Sequence, residues 1–152
     1  MWSLVRSLLL RFRTAGVSVP QPRNSKTAGS RRTVIERIAI VDDNGFQRDV
    51  LERMVISAGY ECRSFEGPQQ ALQALADDGV DLLISDVFMP QISGFELARR
   101  IREFVPDLKC VLVTSHEQDE IDPDQARTVD AVLHKPVTAK LLTDTIRRMS
   151  AV

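Results

Sequence analysis

Between residues 36 and 150, the chain alternates five times between a short apolar segment and a stretch with helical periodicity. The first segment, residues 38–41, is apolar throughout, as expected for a strand that is covered on both faces. Further strands are predicted at 60–65, 81–85, 109–113 and 131–134. The segment 60–65 is less apolar and should lie nearer an edge. Strands that alternate with helices predict an α/β fold: a doubly wound five-stranded parallel sheet with helices on both faces.

The predicted helices are defined by capping pairs and by the spacing of apolar residues. Asn44 with Gln47, and Ser93 with Glu96, have the spacing of capping boxes. Pro123 interrupts a polar stretch, so the fourth helix is the weakest predicted element. The inward faces predicted for the first, third and last helices comprise Phe46, Val50, Leu51, Met54, Val55, Ala58, Leu97, Ala98, Ile101, Phe104, Leu141, Leu142, Ile146 and Met149.

Charge is distributed unevenly between the two ends of the chain. Residues 1–34 contain seven basic residues and no acidic one, whereas residues 35–152 contain 13 basic and 21 acidic residues, a net charge of −8. Contacts to nucleic acid phosphates need lysine and arginine. We therefore expect no nucleic acid binding through the folded domain.

The sequence predicts a disordered extension over residues 1–34 and a folded domain over residues 35–152. The first range is rich in Pro, Gly, Ser and Thr after residue 12, which is typical of a disordered extension. Residues 2–13 alternate apolar residues with arginines, so an amphipathic helix on a membrane or a partner is an alternative. An acid-free, Arg- and Ser-rich start also resembles a targeting peptide, without a clear cleavage site. We favour an unstructured extension before one folded domain.

The two cysteines lie in separate apolar stretches and lack metal-ligand spacing, so both are predicted to be buried. Nothing in their use indicates an oxidising compartment, and no apolar run of about 18 residues exists. We expect a cytoplasmic protein.

Polar residues follow four of the five predicted strands at their carboxyl ends, where doubly wound sheets bind ligands. They are Asp42 with Asp43, Asp86, Thr114, and Lys135, which Pro136 follows. Two carboxylates about 4 Å apart repel by about 4 kcal/mol at an effective dielectric constant of about 20. One lysine cannot offset this repulsion for three carboxylates, but Mg²⁺ can, because it prefers carboxylate and water oxygens. The pattern predicts a magnesium-dependent phosphoryl-transfer site.

With these motifs in view, residues 36–150 resemble the receiver domain of two-component response regulators. The resemblance is carried by IVDDN at 40–44, SDVFMPQISGFEL at 85–97, VLVTS at 111–115 and HKP at 134–136. It implies a flavodoxin-like fold with strand order 2-1-3-4-5. It also implies phosphorylation by a sensor histidine kinase or a histidine phosphotransfer protein, with output through protein–protein interaction rather than enzymatic activity.

The resemblance assigns a role to each motif residue. Asp86 becomes the phosphoacceptor, and Asp42 and Asp43 become magnesium ligands together with Asp86 and the backbone carbonyl of Phe88. Structural and phosphate-binding roles fall to Thr114 as the switch hydroxyl, Lys135 as the phosphate-binding lysine, Pro136 after a cis peptide bond, and Pro90 and Gly94 in the loop after the acceptor.

Two departures from the family pattern affect the expected behaviour. Val132 stands where the family places a switch aromatic, and Asp130 stands where it usually places a glycine. We therefore expect a modified or weak conformational readout of phosphorylation. Phe88 and His116 occupy positions that flank the route of the hydrolytic water in the family. The bulk of Phe88 predicts slow autodephosphorylation.

Three other functions compete with a phosphorylated receiver. A pseudo-receiver that binds partners without phosphorylation is mildly favoured by Val132 but disfavoured by the intact acidic residues, threonine and lysine. A phosphohydrolase with an aspartyl-phosphate intermediate would place two acids two residues apart, whereas Asp42 and Asp43 are adjacent. Dinucleotide binding fails because no G-x-G-x-x-G follows the first strand.

Overall fold

A five-stranded parallel sheet organises residues 34–115 and 120–150, the parts of the chain that the structure, a computed structural model, describes. The elements follow in the order β1 (Arg37–Val41), α1 (Gly45–Ser57), β2 (Glu61–Phe65), α2 (Pro68–Asp78), β3 (Leu82–Asp86), α3 (Gly94–Arg102), β4 (Lys109–Thr114), α4 (Pro123–Ala126), β5 (Ala131–His134) and α5 (Ala139–Ser150). The strand order is β2-β1-β3-β4-β5, and every pair is parallel. The predicted topology and the edge position of the second strand are confirmed.

Side chains of the central strands alternate between two hydrophobic clusters, one on each face of the sheet. In β1, Ile38 and Ile40 face one cluster, and Ala39 and Val41 face the other. Helices α1 and α5 cover the first cluster, and α2 and α3 cover the second. The helix residues buried there are Leu51, Val55, Leu142 and Ile146 on one face and Ala71, Leu75, Phe95, Leu97, Ala98 and Ile101 on the other. Burial on both faces explains the continuous apolar runs.

The two predicted caps start the helices that lie next to the site. The Asn44 side chain accepts a hydrogen bond from the Gln47 N–H at 3.1 Å, and Ser93 Oγ accepts one from the Glu96 N–H at 3.2 Å. Each cap satisfies a backbone donor that the helix itself cannot pair. The fourth helix, α4, has only four residues, as its predicted weakness implies.

Four residues predicted to face inward are exposed. Phe46 is 79% exposed, Leu141 is 40% exposed and Phe104 is 37% exposed, and Ala58 lies exposed at the C-cap of α1. The buried stripe of α1 is Leu51 with Val55, and at about 100° per residue Phe46 points to the opposite side of the helix. Leu141 lies outside the buried stripe of α5 for the same reason, whereas Phe104 follows the end of α3 and belongs to no helical face.

Several predictions concern residues outside the described ranges. These are the disorder of the amino-terminal extension, the amphipathic helix at 2–13 and the role of His116. Among the described residues, no helix combines the length and apolar character needed to cross a membrane.

Candidate functional site

Three carboxylates meet at the carboxyl edge of the sheet, because two neighbouring strands end there in register. Strand β1 pairs with β3 so that Val41 lies opposite Ser85, which places Asp42 next to Asp86. One carboxylate oxygen from each of Asp42, Asp43 and Asp86 lies within 4.8 Å of the other two. Asp42 is buried, Asp43 is exposed and Asp86 is intermediate. The sequence-predicted acidic cluster is therefore brought together.

Asp42 holds a buried oxygen that lacks a hydrogen-bond donor among the described residues. Its Oδ1 accepts a hydrogen bond from the Asn44 N–H at 2.9 Å, but its Oδ2 accepts none. The Lys135 ammonium lies 3.6 Å from Oδ2. Buried carboxylate oxygens without a partner are rare because they are costly. A dication held between this oxygen and its acidic neighbours would satisfy it, so the residues present fit Mg²⁺.

Lys135 places one positive charge beside two of the three carboxylates. Its Nζ lies 3.6 Å from Asp42 Oδ2 and 3.8 Å from Asp86 Oδ2, and its side chain is 16% exposed. It also donates a hydrogen bond to the side-chain oxygen of Gln47. The backbone fixes this lysine, because its N–H donates to the Thr114 carbonyl at 2.8 Å. The Lys135–Pro136 peptide bond is cis, as the resemblance implies.

The electrostatics of Asp86 are a balance of opposing effects. Burial raises the pKa of its carboxyl group, and the negative charges of Asp42 and Asp43 raise it further. The Lys135 ammonium and a hydrogen bond from the Phe88 backbone N–H lower the same pKa, but the net direction is upward. Asp86 is therefore a carboxylate in a partly desolvated, negatively charged setting, where a neutralising ligand is favoured.

The loop after Asp86 is held by backbone contacts. The Val87 N–H donates to the Val113 carbonyl at 3.1 Å, and the Gly94 N–H donates to the Val87 carbonyl at 2.8 Å. Pro90 is exposed on this loop, and the Phe88 side chain is 43% exposed beside the site. The loop thus keeps the backbone after the predicted acceptor close to α3.

Thr114 is the final residue of β4 and is fully buried. Asp86 pairs with Val113, so Thr114 extends one residue beyond the acceptor's strand partner. It lies at the same carboxyl edge as the acidic residues. The structure therefore brings the predicted threonine to the predicted end of the sheet.

Two residues near the site were not predicted from the sequence as parts of it. Gln47 was noted only as a capping partner, yet it contacts the site lysine. Arg48 donates to the backbone carbonyl of Asp42 at 2.8 Å, and its guanidinium lies 3.7 Å from Glu66. Both residues lie on the first turn of the helix that follows Asp42 and Asp43, and this proximity along the chain could have indicated that they lie near the site.

Asp130, which stands where the family usually has a glycine, makes polar contacts with three residues. The Asp130 carboxylate accepts a hydrogen bond from the Cys110 N–H at 2.7 Å and lies 3.5 Å from the Arg102 guanidinium and 3.6 Å from the Lys109 ammonium. Asp130 therefore ties the start of β5 to β4 and to the end of α3. Val132, in the switch-aromatic position, is partly buried against the hydrophobic cluster of α2 and α3.

Comparison with known proteins agrees with the fold. A sequence profile described as response regulator receiver domain matches residues 38–147. The response regulator receiver protein CpdR of Brucella abortus (strain 2308) is 34% identical over 116 residues, which cover 76% of this chain and 97% of CpdR. A stretch of the sensor histidine kinase RcsC of Salmonella typhimurium is 31% identical over 144 residues, which cover 94% of this chain but 15% of RcsC.

Solved structures show the same architecture. The response regulator TrrA of Thermotoga maritima, in complex with Mg²⁺-BeF, has a TM-score of 0.68 at 30% identity, over 76% of this chain and 99% of TrrA. The fold and the acidic edge define a doubly wound α/β signalling domain. The chain belongs to the response regulator receiver domain family of two-component systems. Members of this family are signalling modules rather than enzymes.

Proposed function

We propose that this receiver accepts a phosphoryl group on Asp86 in a Mg²⁺-dependent reaction and passes the signal on by protein–protein interaction. The observation that carries the proposal is the meeting of three carboxylates within 4.8 Å, with the Lys135 ammonium 3.8 Å from Asp86. Asp42, Asp43 and Asp86 would hold the metal, with the backbone carbonyl of Phe88 as a further ligand. When bound, Mg²⁺ supplies positive charge to the carboxylates and to a phosphoryl oxygen.

The reaction transfers a phosphoryl group from a histidine nitrogen of the donor to a carboxylate oxygen of Asp86. A carboxylate oxygen of Asp86 forms a bond to phosphorus while the phosphorus–nitrogen bond of a phosphohistidine breaks. The departing imidazole nitrogen keeps the electron pair of that bond and takes a proton. The product on this chain is an acyl phosphate.

The remaining groups of the site stabilise the transferred phosphoryl group. Lys135 pairs its ammonium with a phosphoryl oxygen, and the Thr114 hydroxyl donates a hydrogen bond to another. Both side chains sit on backbone that the sheet fixes, because Thr114 ends β4 and the Lys135 N–H bonds to the Thr114 carbonyl. Fixed donors favour transfer because they need no reorganisation as charge develops.

The relatives support this proposal and indicate the class of partner. TrrA was solved with Mg²⁺-BeF, and RcsC is a sensor histidine kinase. We infer that the phosphodonor of this chain is a sensor histidine kinase or a histidine phosphotransfer protein. The net charge of −8 over residues 35–152 disfavours direct contact of the folded domain with nucleic acid, which leaves proteins as the recipients of the signal.

Phosphorylation of the purified protein tests the proposal. Incubation with acetyl phosphate and Mg²⁺, followed by a phosphate-affinity gel, should show a shifted band for the wild type and none for Asp86→Asn. Asp77→Asn changes an exposed aspartate on α2 and should shift like the wild type. A wild type that stays unshifted, or an Asp86→Asn variant that shifts fully, would contradict the proposal.

The readout of phosphorylation is proposed to be modified. Asp130 ties the start of β5 to β4 and α3, and Val132 offers no aromatic ring to reorient. We infer that the β5 face, the surface formed by β5 and the α4 segment before it, moves less on phosphorylation than in receivers that carry an aromatic residue at the position of Val132. A pseudo-receiver that binds partners without phosphorylation is the second candidate, favoured by the same two residues, and the gel experiment separates the two.

A further inference from the structure

Gln47 makes a side-chain contact that helix capping does not explain. The cap uses its backbone N–H, which Asn44 accepts at 3.1 Å. Its side-chain oxygen accepts a hydrogen bond from the ammonium of Lys135, a residue 88 positions further along the chain. The contact joins the first turn of α1 to the lysine of the phosphoryl site.

The contact closes a ring of interactions around Asp42. Asp42 Oδ1 accepts from the Asn44 N–H at 2.9 Å, and Asn44 in turn accepts from the Gln47 N–H. Gln47 accepts from Lys135, whose ammonium lies 3.6 Å from the other oxygen of Asp42. The start of α1 and the lysine are therefore both fixed relative to one carboxylate.

The two attractions on Lys135 differ in kind. Its distances of 3.6 and 3.8 Å to the carboxylates exceed ordinary hydrogen-bond lengths, so these contacts attract the ammonium without orienting it. Lysine is a point charge on a flexible stem and takes its orientation from its partners. The amide oxygen of Gln47 is a directional, uncharged acceptor. Without it, the ammonium would move onto the carboxylates and occupy the space between them.

We propose that Gln47 is a positioning residue for Lys135. It holds the ammonium to one side of the Asp42–Asp86 pair, which keeps the carboxylates open to a dication and aims the remaining N–H donors at an incoming phosphoryl group. The inference rests on the proposed function, since it assigns Gln47 to the same site. Loss of the amide oxygen therefore weakens Mg²⁺ binding and slows phosphorylation together.

Three variants separate positioning from general structural support. Gln47→Met keeps the length of the side chain and removes the oxygen acceptor, whereas Gln47→Glu keeps an oxygen. Gln73→Met makes the same change at an exposed site on α2 and serves as the control. At saturating Mg²⁺, Gln47→Met should take phosphoryl groups from acetyl phosphate about tenfold more slowly than the wild type, as expected for a misplaced reacting group. The control should match the wild type.

A second readout does not depend on phosphorylation. In Mg²⁺-free protein, the ¹H–¹⁵N signal of the Lys135 ammonium, assigned with Lys135→Arg, should be visible because the hydrogen bond to Gln47 slows proton exchange. It should vanish in Gln47→Met and persist in Gln47→Glu. A signal missing from the wild type, or one unchanged in Gln47→Met together with an unchanged rate, would overturn the inference. A wild type that takes no phosphoryl group, yet loses the signal in Gln47→Met, would instead refute the proposed function alone.

Discussion

Gly94 lies directly against the backbone carbonyl of Asp86. A Cβ on Gly94 would overlap that carbonyl oxygen and would lie 2.9 Å from Cδ2 of Leu112. The Gly94 N–H also donates to the Val87 carbonyl at 2.8 Å, so the first turn of α3 is packed on the backbone of the predicted phosphoacceptor. Backbone on one side and a buried leucine on the other leave little room for adjustment.

Gly94→Ala should therefore destabilise the protein and disturb the site. We expect a loss of about 1–3 kcal/mol in the free energy of unfolding, typical of overpacking, and slower phosphorylation of Asp86. Urea denaturation and the acetyl phosphate assay measure the two effects. Gly67→Ala is the matched control, because a Cβ there meets no atom within 4 Å and its φ of −157° suits any residue. Equal losses in both variants would contradict the close-approach argument.

Mg²⁺ should stabilise the folded protein through the acidic cluster. At a concentration ten times its dissociation constant, a ligand of the native state adds about 1.4 kcal/mol to the free energy of unfolding. Thermal unfolding with and without Mg²⁺ should show this gain in the wild type and a smaller gain in Asp43→Asn, which removes one exposed carboxylate. Asp77→Asn should behave as the wild type. An equal gain from NaCl at matched ionic strength would count against a specific site.

The charge of Asp86 should make stability depend on pH. Burial is the main cause that raises the pKa of this carboxyl above its ordinary 3.8, so the folded chain binds the proton more tightly than the unfolded chain. The corresponding stability is present at low pH and is lost as pH rises through the raised pKa. In Mg²⁺-free buffer, Asp86→Asn should therefore unfold at higher urea than the wild type at pH 7. The difference should shrink as pH falls toward 4. A difference that stays constant with pH would refute a raised pKa of Asp86 in the folded protein.

The sheet and the acidic cluster could be predicted from the sequence because both follow from short-range patterns. Apolar runs identified the strands, and parallel strands bring their carboxyl ends to one edge, which placed Asp42, Asp86 and Lys135 together. Side-chain directions on the helices were harder, because Phe46 satisfied a helical spacing yet belongs to the opposite side of α1.

Contacts between residues distant along the chain could not be predicted from the sequence. Gln47 and Lys135 are separated by 88 residues, and Asp130 finds its partners Cys110 and Arg102 at separations of 20 and 28. No local pattern marks such pairs, because their geometry is set only when helices and strands pack. The sequence showed that Asp130 replaces the usual glycine, but it did not indicate which residues Asp130 contacts.

Phe88 should slow hydrolysis of the acyl phosphate. It follows Asp86 by two residues, its backbone N–H bonds to that carboxylate, and its ring is 43% exposed beside the site. Phe88→Ala should shorten the half-life of the phosphorylated protein several-fold, because water gains access to the phosphorus. Phe104→Ala removes a similarly exposed ring at the end of α3 and should leave the half-life unchanged. A half-life of seconds that Phe88→Ala does not alter would disprove the shielding role.

Asp130 should limit the structural response to phosphorylation. Its carboxylate binds the Cys110 N–H and two basic side chains at the amino end of β5, so movement of that strand requires these contacts to break. With Mg²⁺ and beryllofluoride as a phosphoryl mimic, amide NMR shifts over residues 120–134 should be small beside those of TrrA measured in parallel. Asp130→Ala leaves the Cys110 N–H without this acceptor, which costs about 1–3 kcal/mol, and the shifts should grow.

Asp130→Asn separates the hydrogen bond from the ion pairs. It keeps an oxygen for the Cys110 N–H and loses the charge that Arg102 and Lys109 contact. Ion pairs at partly exposed sites contribute less than about 1 kcal/mol, so this variant should respond as weakly as the wild type. If wild-type shifts already equal those of TrrA, or if Asp130→Ala leaves them unchanged, then Asp130 does not restrain the β5 face. The valine at position 132 would then not weaken the response to phosphorylation either.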